Sequence, residues 1–417
     1  MTNFGRFDRL RDLTRKWTRL ASITASVAIV AMTVAACGSD DSSSSSSGGG
    51  GESSADSGPY KVGYVSALTG WLAPFEEPFR QALELRVDQI NAKGGVDGHQ
   101  VELLIKDGKS DPARGAEVAR ELIGEGAQFL INPCDQDVGI PAGQVGQQEG
   151  IPTLSACAGA ATFPAAVGDY QFLNTAGTFA EGSAIAEWAL KEGHETAFLM
   201  RSKDIAYIDT LASTVKSHFE NKGGKIVGEA NYKYNAPTYK AQMTQIADTQ
   251  PAPDIVFLMM NIPDSVVALR ELAAQGFKGT AIMSYASDSP ILFQAGKAFD
   301  SIDAYVLAFG FAEKGSQMEE FYAAYQEEYG KRPESIFAGL GGDAADLIKA
   351  AVEGAGSTEP KAVRDAFDNL EDVEVVTGTR TYKGSERVPR TEFAVEKPVG
   401  EKFELVEYFY PEELFQP

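Results

Sequence analysis

The sequence predicts an α/β protein made of two doubly wound, Rossmann-like lobes. Two observations carry that prediction. From Lys61 onward, short β-branched runs alternate with amphipathic helical stretches, and near Phe179 the alternation begins again after one full series. Strands and helices alternating at this spacing form parallel sheets covered by helices on both faces. Length is the second observation. Of the 417 residues, about 360 follow a serine- and glycine-rich segment, too many for one ordinary core and enough for two.

The elements follow in order. Residues 61–66 (KVGYVS) read as a strand, and 79–93 as a helix with Ala82, Leu85 and Ile90 on one face and Gly94-Gly95 as its stop. Strand 101–105 leads to helix 112–125, where Asp111 is placed to cap and Pro112 occupies a first-turn position that needs no N–H. Strand 129–132, a helix around 138–148 and strand 153–155 complete the first series. The second runs helix 179–191, strand 196–200, helix 207–221, strand 225–232, helix 239–248, strand 254–259, helix 265–275, strand 280–284 and strand 304–309. Helices around 317–329, 335–353 and 361–370 come next, and the tail 380–410 is rich in β-formers. In open α/β sheets a ligand sits beyond the carboxyl ends of the strands, so a cleft between the lobes is the expected site.

The amino-terminal segment has the pattern of an export signal. Arg6, Arg9, Arg11, Arg15, Lys16 and Arg19 precede an uncharged run, 20–34, and Val34-Ala35-Ala36 leads into Cys37-Gly38. Basic, apolar and small residues in that order mark residues 1–36 as a secretory signal peptide. The apolar run falls short of the roughly 20 residues that span a bilayer, so no retained transmembrane helix is expected. Cys37 in this setting resembles the lipobox cysteine of bacterial lipoproteins, which implies a lipid such as palmitate on Cys37. An ordinary signal peptide with an incidental cysteine is the alternative. Residues 38–58 carry no large apolar side chain and read as a disordered Ser/Gly tether, or alternatively a glycosylated stalk.

Without residues 1–37 the chain has 57 acidic and 31 basic side chains, a formal net charge of −26. That surface repels nucleic-acid phosphates, and no basic patch with interleaved aromatics offsets it. If Cys37 carries lipid, Cys134 and Cys157 are left in an oxidising compartment, where a disulfide is expected and metal binding is the alternative. His99, His194 and His218 are scattered, so no metal and no cofactor are expected.

Residues 62–112 hold Leu68-Thr69-Gly70, Ala73-Pro74-Phe75, Ile90-Asn91-Ala92-Lys93-Gly94-Gly95-Val96-Asp97-Gly98 and Ser110-Asp111-Pro112 in that order. This ordered set resembles the type I periplasmic binding proteins of the branched-chain amino acid class, the Leu/Ile/Val-binding receptors of ABC importers. The resemblance continues, less specifically, to about residue 409. It implies two lobes joined by three crossing segments that close on a small ligand by hinge motion. The crossings would lie near 175–179, 309–314 and 377–381. One lobe would combine 60–176 with 312–378, the other 177–311 with 379–417.

The same resemblance directs attention to particular residues. In the amino-acid binders a serine in the loop before the third helix helps hold the ligand carboxylate; here Asp135, followed by Gln136, stands in its place. Asp135 either meets the ligand or simply caps that helix. The family's threonine that contacts both charged ends falls on Gly159, next to Ala158, whose backbone groups remain available. Tyr207 matches an aromatic that covers the ligand, with helix-start packing as the alternative. Asn261 follows the strand at 254–259. The acidic anchor for a ligand ammonium falls on Ala286, and Asp288 is the substitute or a helix cap. Trp71 either stacks on the ligand or packs at the lobe surface.

The function expected is that of an extracytoplasmic, lipid-anchored substrate-binding receptor of an ABC importer. It would work as a monomer with permease subunits, capturing a branched-chain or other amino acid, an amide or a related compound. A surface sensor without transport is the alternative. An exported enzyme is less favoured, since neither a Gly-x-Ser-x-Gly elbow nor a Walker loop occurs.

Overall fold

The structure is a computed structural model and describes residues 58–415 except Glu334. The predicted signal peptide, Cys37 and the tether up to residue 57 lie outside the described residues.

The first series is β1 (Tyr60–Ser66), α1 (Ala73–Ala92), β2 (Val101–Asp107), α2 (Pro112–Gly124), β3 (Phe129–Asn132), α3 (Gln136–Glu149), β4 (Thr153–Ser155), α4 (Phe163–Val167) and β5 (Gln171–Leu173). Its strands form one parallel sheet in the order β2-β1-β3-β4-β5. Helix α1 begins six residues before its predicted start. Pro74 lies in the first turn, where no N–H is needed, and Pro78 is accommodated inside the helix. The unforeseen β5 is three residues long and wholly buried, too short to show alternation.

The second series is α5 (Gly177–Lys191), β6 (Thr196–Arg201), α6 (Ala206–Asn221), β7 (Lys225–Asn231), α7 (Lys240–Asp248), β8 (Ile255–Leu258), α8 (Asp264–Ala274), β9 (Gly279–Met283) and β10 (Ile302–Ala308). Then come α9 (Gln317–Tyr329), α10 (Phe337–Ala355), α11 (Pro360–Asp368), β11 (Val373–Val375), β12 (Gly378–Arg380), β13 (Phe393–Val399) and β14 (Lys402–Phe409). The larger sheet runs β14-β13-β10-β9-β8-β6-β7, with β13 and β14 joined antiparallel at its edge. Helix α10 is buried along most of its length and packs on α1 of the first series. Gly310, after β10, approaches Thr377 so closely that a Cβ would strike the Thr377 carbonyl, so these two linking segments touch backbone to backbone.

Strand order reverses between β1 and β3 in one sheet and between β6 and β8 in the other. Those reversals leave crevices at the carboxyl ends of the strands. The loops after β1, β3, β4, β6, β8 and β9 are therefore the ones the topology brings to the site.

Candidate functional site

Those loops enclose a cavity of about 50 Å³. Trp71 comes from the loop after β1, Asp135 and Gln136 from the β3–α3 junction, and Ala158 and Gly159 from the segment after β4. From the larger sheet come Tyr207 at the start of α6, Asn261 after β8, and Ala286 after β9. The cavity opens toward a second space of about 570 Å³ that shares Trp71, Phe75, Ala286 and Phe337 as walls. The second volume lies within the range of small-molecule sites. Trp71 sits at the rim, 47% exposed. Asp288 is not on the inner cavity. It lines the second space and a third, whose walls also include Glu396.

Asp135 is the N-cap of α3. Its Oδ1 accepts from the N–H groups of Asp137 (2.9 Å) and Val138 (3.2 Å), so the side chain itself occupies donors that an incoming carboxylate would use. Burial holds its carboxyl above the ordinary range. No lysine, arginine or histidine lines the cavity. Asn261 is buried, and its Oδ1 has no partner among the described residues.

Gly159 is small because two tyrosines fill the space beside it. A Cβ there would stand 2.8 Å from Cε2 of Tyr207 and 2.9 Å from the hydroxyl of Tyr285. The Tyr207 hydroxyl donates to both oxygens of Glu181, at 3.1 and 3.0 Å, and the Tyr285 N–H donates to the same carboxyl at 3.3 Å. The two rings meet edge to face at 5.5 Å. Burial in this apolar setting raises the Glu181 carboxyl to about 8.

A second buried glutamate braces the opposite wall. Glu76 Oε1 accepts from the Cys134 N–H at 2.6 Å, while Oε2 accepts from the Ala67 N–H and the Tyr64 hydroxyl. Burial pushes this carboxyl up to about 7. Cys134 and Cys157 are joined in a disulfide with their Cα atoms 4.4 Å apart, tying the β3 loop to the β4 loop. Sequence reasoning quoted Phe75 only as part of a motif and did not single out Glu76, Glu181, Tyr285 or Phe337. Glu181 had one usable signal, shared with Glu187: an acidic residue amid the small and apolar positions of 176–190. Among the described residues no group of three or more His, Cys, Asp or Glu side chains could hold a metal ion.

Two parallel-stranded α/β sheets whose strand ends close over one cavity define a solute-binding receptor. The chain belongs to the periplasmic binding protein family, whose sequence profile matches residues 59–396. It is 25% identical over 339 residues to the Leu/Ile/Val-binding protein BraC3 of Rhizobium johnstonii, covering 77% of this chain and 86% of that one. A putative branched-chain amino acid ABC transporter structure from Rhodospirillum rubrum superposes with a TM-score of 0.71 at 25% identity, covering 84% of this chain and all of that one. The branched-chain amino acid binding protein LivJ of Streptococcus pneumoniae, solved with isoleucine, gives 0.74 at 20% identity, over 85% of this chain and all of that one. Among the described residues no helix is long and apolar enough to cross a membrane.

Proposed function

We propose that this chain is the substrate-binding receptor of an ABC importer, held outside the cell membrane by lipid on Cys37 and presented to its permease on the 38–58 tether. The observation that carries the reading is the origin of the cavity walls: the strand ends of both sheets supply them, so closing the cleft encloses a ligand. The lobes are 60–176 with 312–378, and 177–311 with 379–417. Membership of β1–β5 in one sheet and of β6–β10, β13 and β14 in the other supports that division, as does the contact of Gly310 with Thr377 at two crossings.

The ligand is a small molecule that offers an N–H or ammonium donor and an apolar body. Asn261 Oδ1 supplies a buried acceptor, Trp71, Phe75, Tyr285 and Phe337 supply apolar walls, and no side-chain cation lines the inner cavity, Lys331 lying on the wider space beyond it. Branched-chain amino acids, the cargo named for the Rhizobium relative, meet the donor and apolar requirements. Their carboxylate would have to use main-chain N–H groups near Ala158 and Gly159. Amides and amines avoid that demand.

A thermal-shift screen of the purified protein against amino acids, their amides, and neutral and cationic amines tests this reading. A ligand at 100 times its Kd adds about 2.7 kcal/mol of apparent stability. The receptor reading fails if no compound shifts the melt. The donor requirement fails if the best ligand is an anion without an N–H group.

A further inference from the structure

Residues 157–160 form one wall of the inner cavity, and all of them are buried. Their carbonyl oxygens are engaged. Cys157 accepts from the Tyr285 hydroxyl at 3.1 Å and Ala158 from the Thr175 hydroxyl at 3.0 Å. Gly159 accepts from the Thr178 N–H at 2.7 Å, and Ala160 from the Phe163 N–H at 2.9 Å. The N–H groups of the same residues have no acceptor among the described residues. Buried main-chain N–H groups are nearly always paired, so an unpaired run in a cavity wall marks the place of an incoming oxygen.

Two side chains add a donor and an acceptor to that run. Gln136 Oε1 accepts from the Thr162 hydroxyl at 3.2 Å, which leaves the Gln136 NH2 group without an acceptor among the described residues. Asn261 is 8% exposed, and its unpartnered Oδ1 is an acceptor from the opposite wall. Gln136 and residues 157–160 lie on loops of the smaller sheet, whereas Asn261 follows β8 of the larger one. Donors and acceptor therefore meet a ligand from opposite sides of the cleft.

Charge decides which chemical group can use both. A carboxylate would share the cavity with the Asp135 carboxyl, which already occupies N–H groups at the start of α3. No side-chain cation lines the cavity to offset that repulsion. An ammonium group has no acceptor to give, so it would leave the N–H run unpaired and set its charge against those dipoles. A carboxamide is neutral and carries a carbonyl oxygen and an NH2 group side by side. The inner cavity, about 50 Å³, is small beside the 570 Å³ space that it opens into. It suits the polar end of a ligand whose apolar body rests on Trp71, Phe75 and Phe337.

We propose that the group recognised by this receptor is an uncharged primary carboxamide, an inference that rests on the receptor reading above. Its carbonyl oxygen accepts from the N–H run at 157–160 and from the Gln136 NH2 group, and its own NH2 group donates to Asn261 Oδ1. Gln136 and Asn261 are the residues that separate an amide from the acid and the amine of the same shape.

Calorimetric titration of the purified protein with 3-methylbutanamide, 3-methylbutanoate, 3-methylbutylamine and L-leucine tests the proposal. We expect the amide to bind with a Kd below about 1 mM, and the other three at least about tenfold more weakly. Asn261→Asp keeps an acceptor of the same shape and adds a negative charge, so the amide should weaken about tenfold and the amine should overtake it. Gln136→Met removes a donor and should weaken the amide about threefold or more without favouring the amine. Binding of leucine, the acid or the amine as tightly as the amide overturns the proposal and leaves the receptor reading standing. Binding of none of the four overturns it as well, and the receptor reading falls with it only if the broad thermal-shift screen is also blank. An amide preference that persists unchanged in both variants places recognition elsewhere and overturns it too.

Discussion

The hydroxyl of Tyr285 donates to the main-chain carbonyl of Cys157 at 3.1 Å, joining the end of β9 to the end of β4. The two strands belong to different sheets, so the bond forms only while the cleft between them is shut. Tyr285→Phe keeps the ring and its 4.4 Å packing on Phe309 but deletes the bond. A net loss of about 1 kcal/mol lowers the shut-to-open ratio about fivefold. Small-angle scattering should then report a larger radius of gyration without ligand. An unchanged radius would remove this bond from the account of closure.

Gly159→Ala acts on the same contact from the other side. The new methyl would press on Tyr207 and Tyr285, and Tyr207 is held by Glu181 and cannot simply swing away. Overpacking of this kind costs about 1–3 kcal/mol. The expected result is a lower melting temperature together with a more open cleft. Because the Tyr285 hydroxyl is one of the obstructing atoms, adding Tyr285→Phe should cost less than the sum of the single changes. Strict additivity would show that the methyl is absorbed elsewhere.

Two buried glutamates set a pH dependence whose sign can be worked out. Burial raises Glu181 to about 8 and Glu76 to about 7, against an ordinary value of 4.5. Between 4.5 and those values the folded chain keeps protons that the unfolded chain has released. Their contribution is therefore complete below pH 4.5 and declines as pH rises, by up to about 1.4 kcal/mol per unit per group. In strong acid the sign reverses, because Glu187 and Asp254 are held below their ordinary range by hydrogen bonds that outweigh their burial. Urea midpoints should fall from pH 5 to pH 8, and Glu181→Gln should flatten the upper part of that slope. A wild-type midpoint that is level over the interval would contradict the assignment.

The segment around β12 is anchored by a fully buried ion pair. Arg380 Nη2 lies 2.9 Å from Asp343 Oδ2, and the Thr377 N–H and hydroxyl donate to the same carboxylate at 2.9 and 2.6 Å. Removing one partner strands a buried charge, so Arg380→Met should cost about 3–5 kcal/mol. Pairing it with Asp343→Leu should restore much of that loss, since two apolar side chains replace two desolvated ions. Equilibrium unfolding of the single and double variants decides the point: equal losses would mean that the pair is not the source.

Local structure was legible wherever neighbours on the chain determine it. The bounds of β3, β4 and α9 agree with their periodicity and caps, including the Ser316 side chain that accepts from the Glu319 N–H. The start of α1 lies six residues earlier than its apolar face suggests, because Pro74 fits the first turn and Pro78 is accommodated inside the helix. At the site, alternation pointed to a cleft at the strand ends, the family resemblance singled out residues, and seven of the eight ligand candidates line one cavity. Asp288 is the exception, since the turn 285–287 carries it past the inner wall. Glu181 and Tyr285 could not be found that way, being 104 residues apart in sequence and joined only by folding.

By itself the sequence determined the α/β alternation, the restart that makes two sheets, the export pattern before Cys37, and the family motif between residues 62 and 112. These are properties of residues close together on the chain, where helix and strand periods and turn chemistry act. Only the tertiary structure decided that Gly159 makes room for Tyr207 and Tyr285. Only folding, likewise, buried Glu396 beside the register shift in β13. A cavity is defined by which distant side chains compete for one volume, and that competition begins only once the sheets have packed.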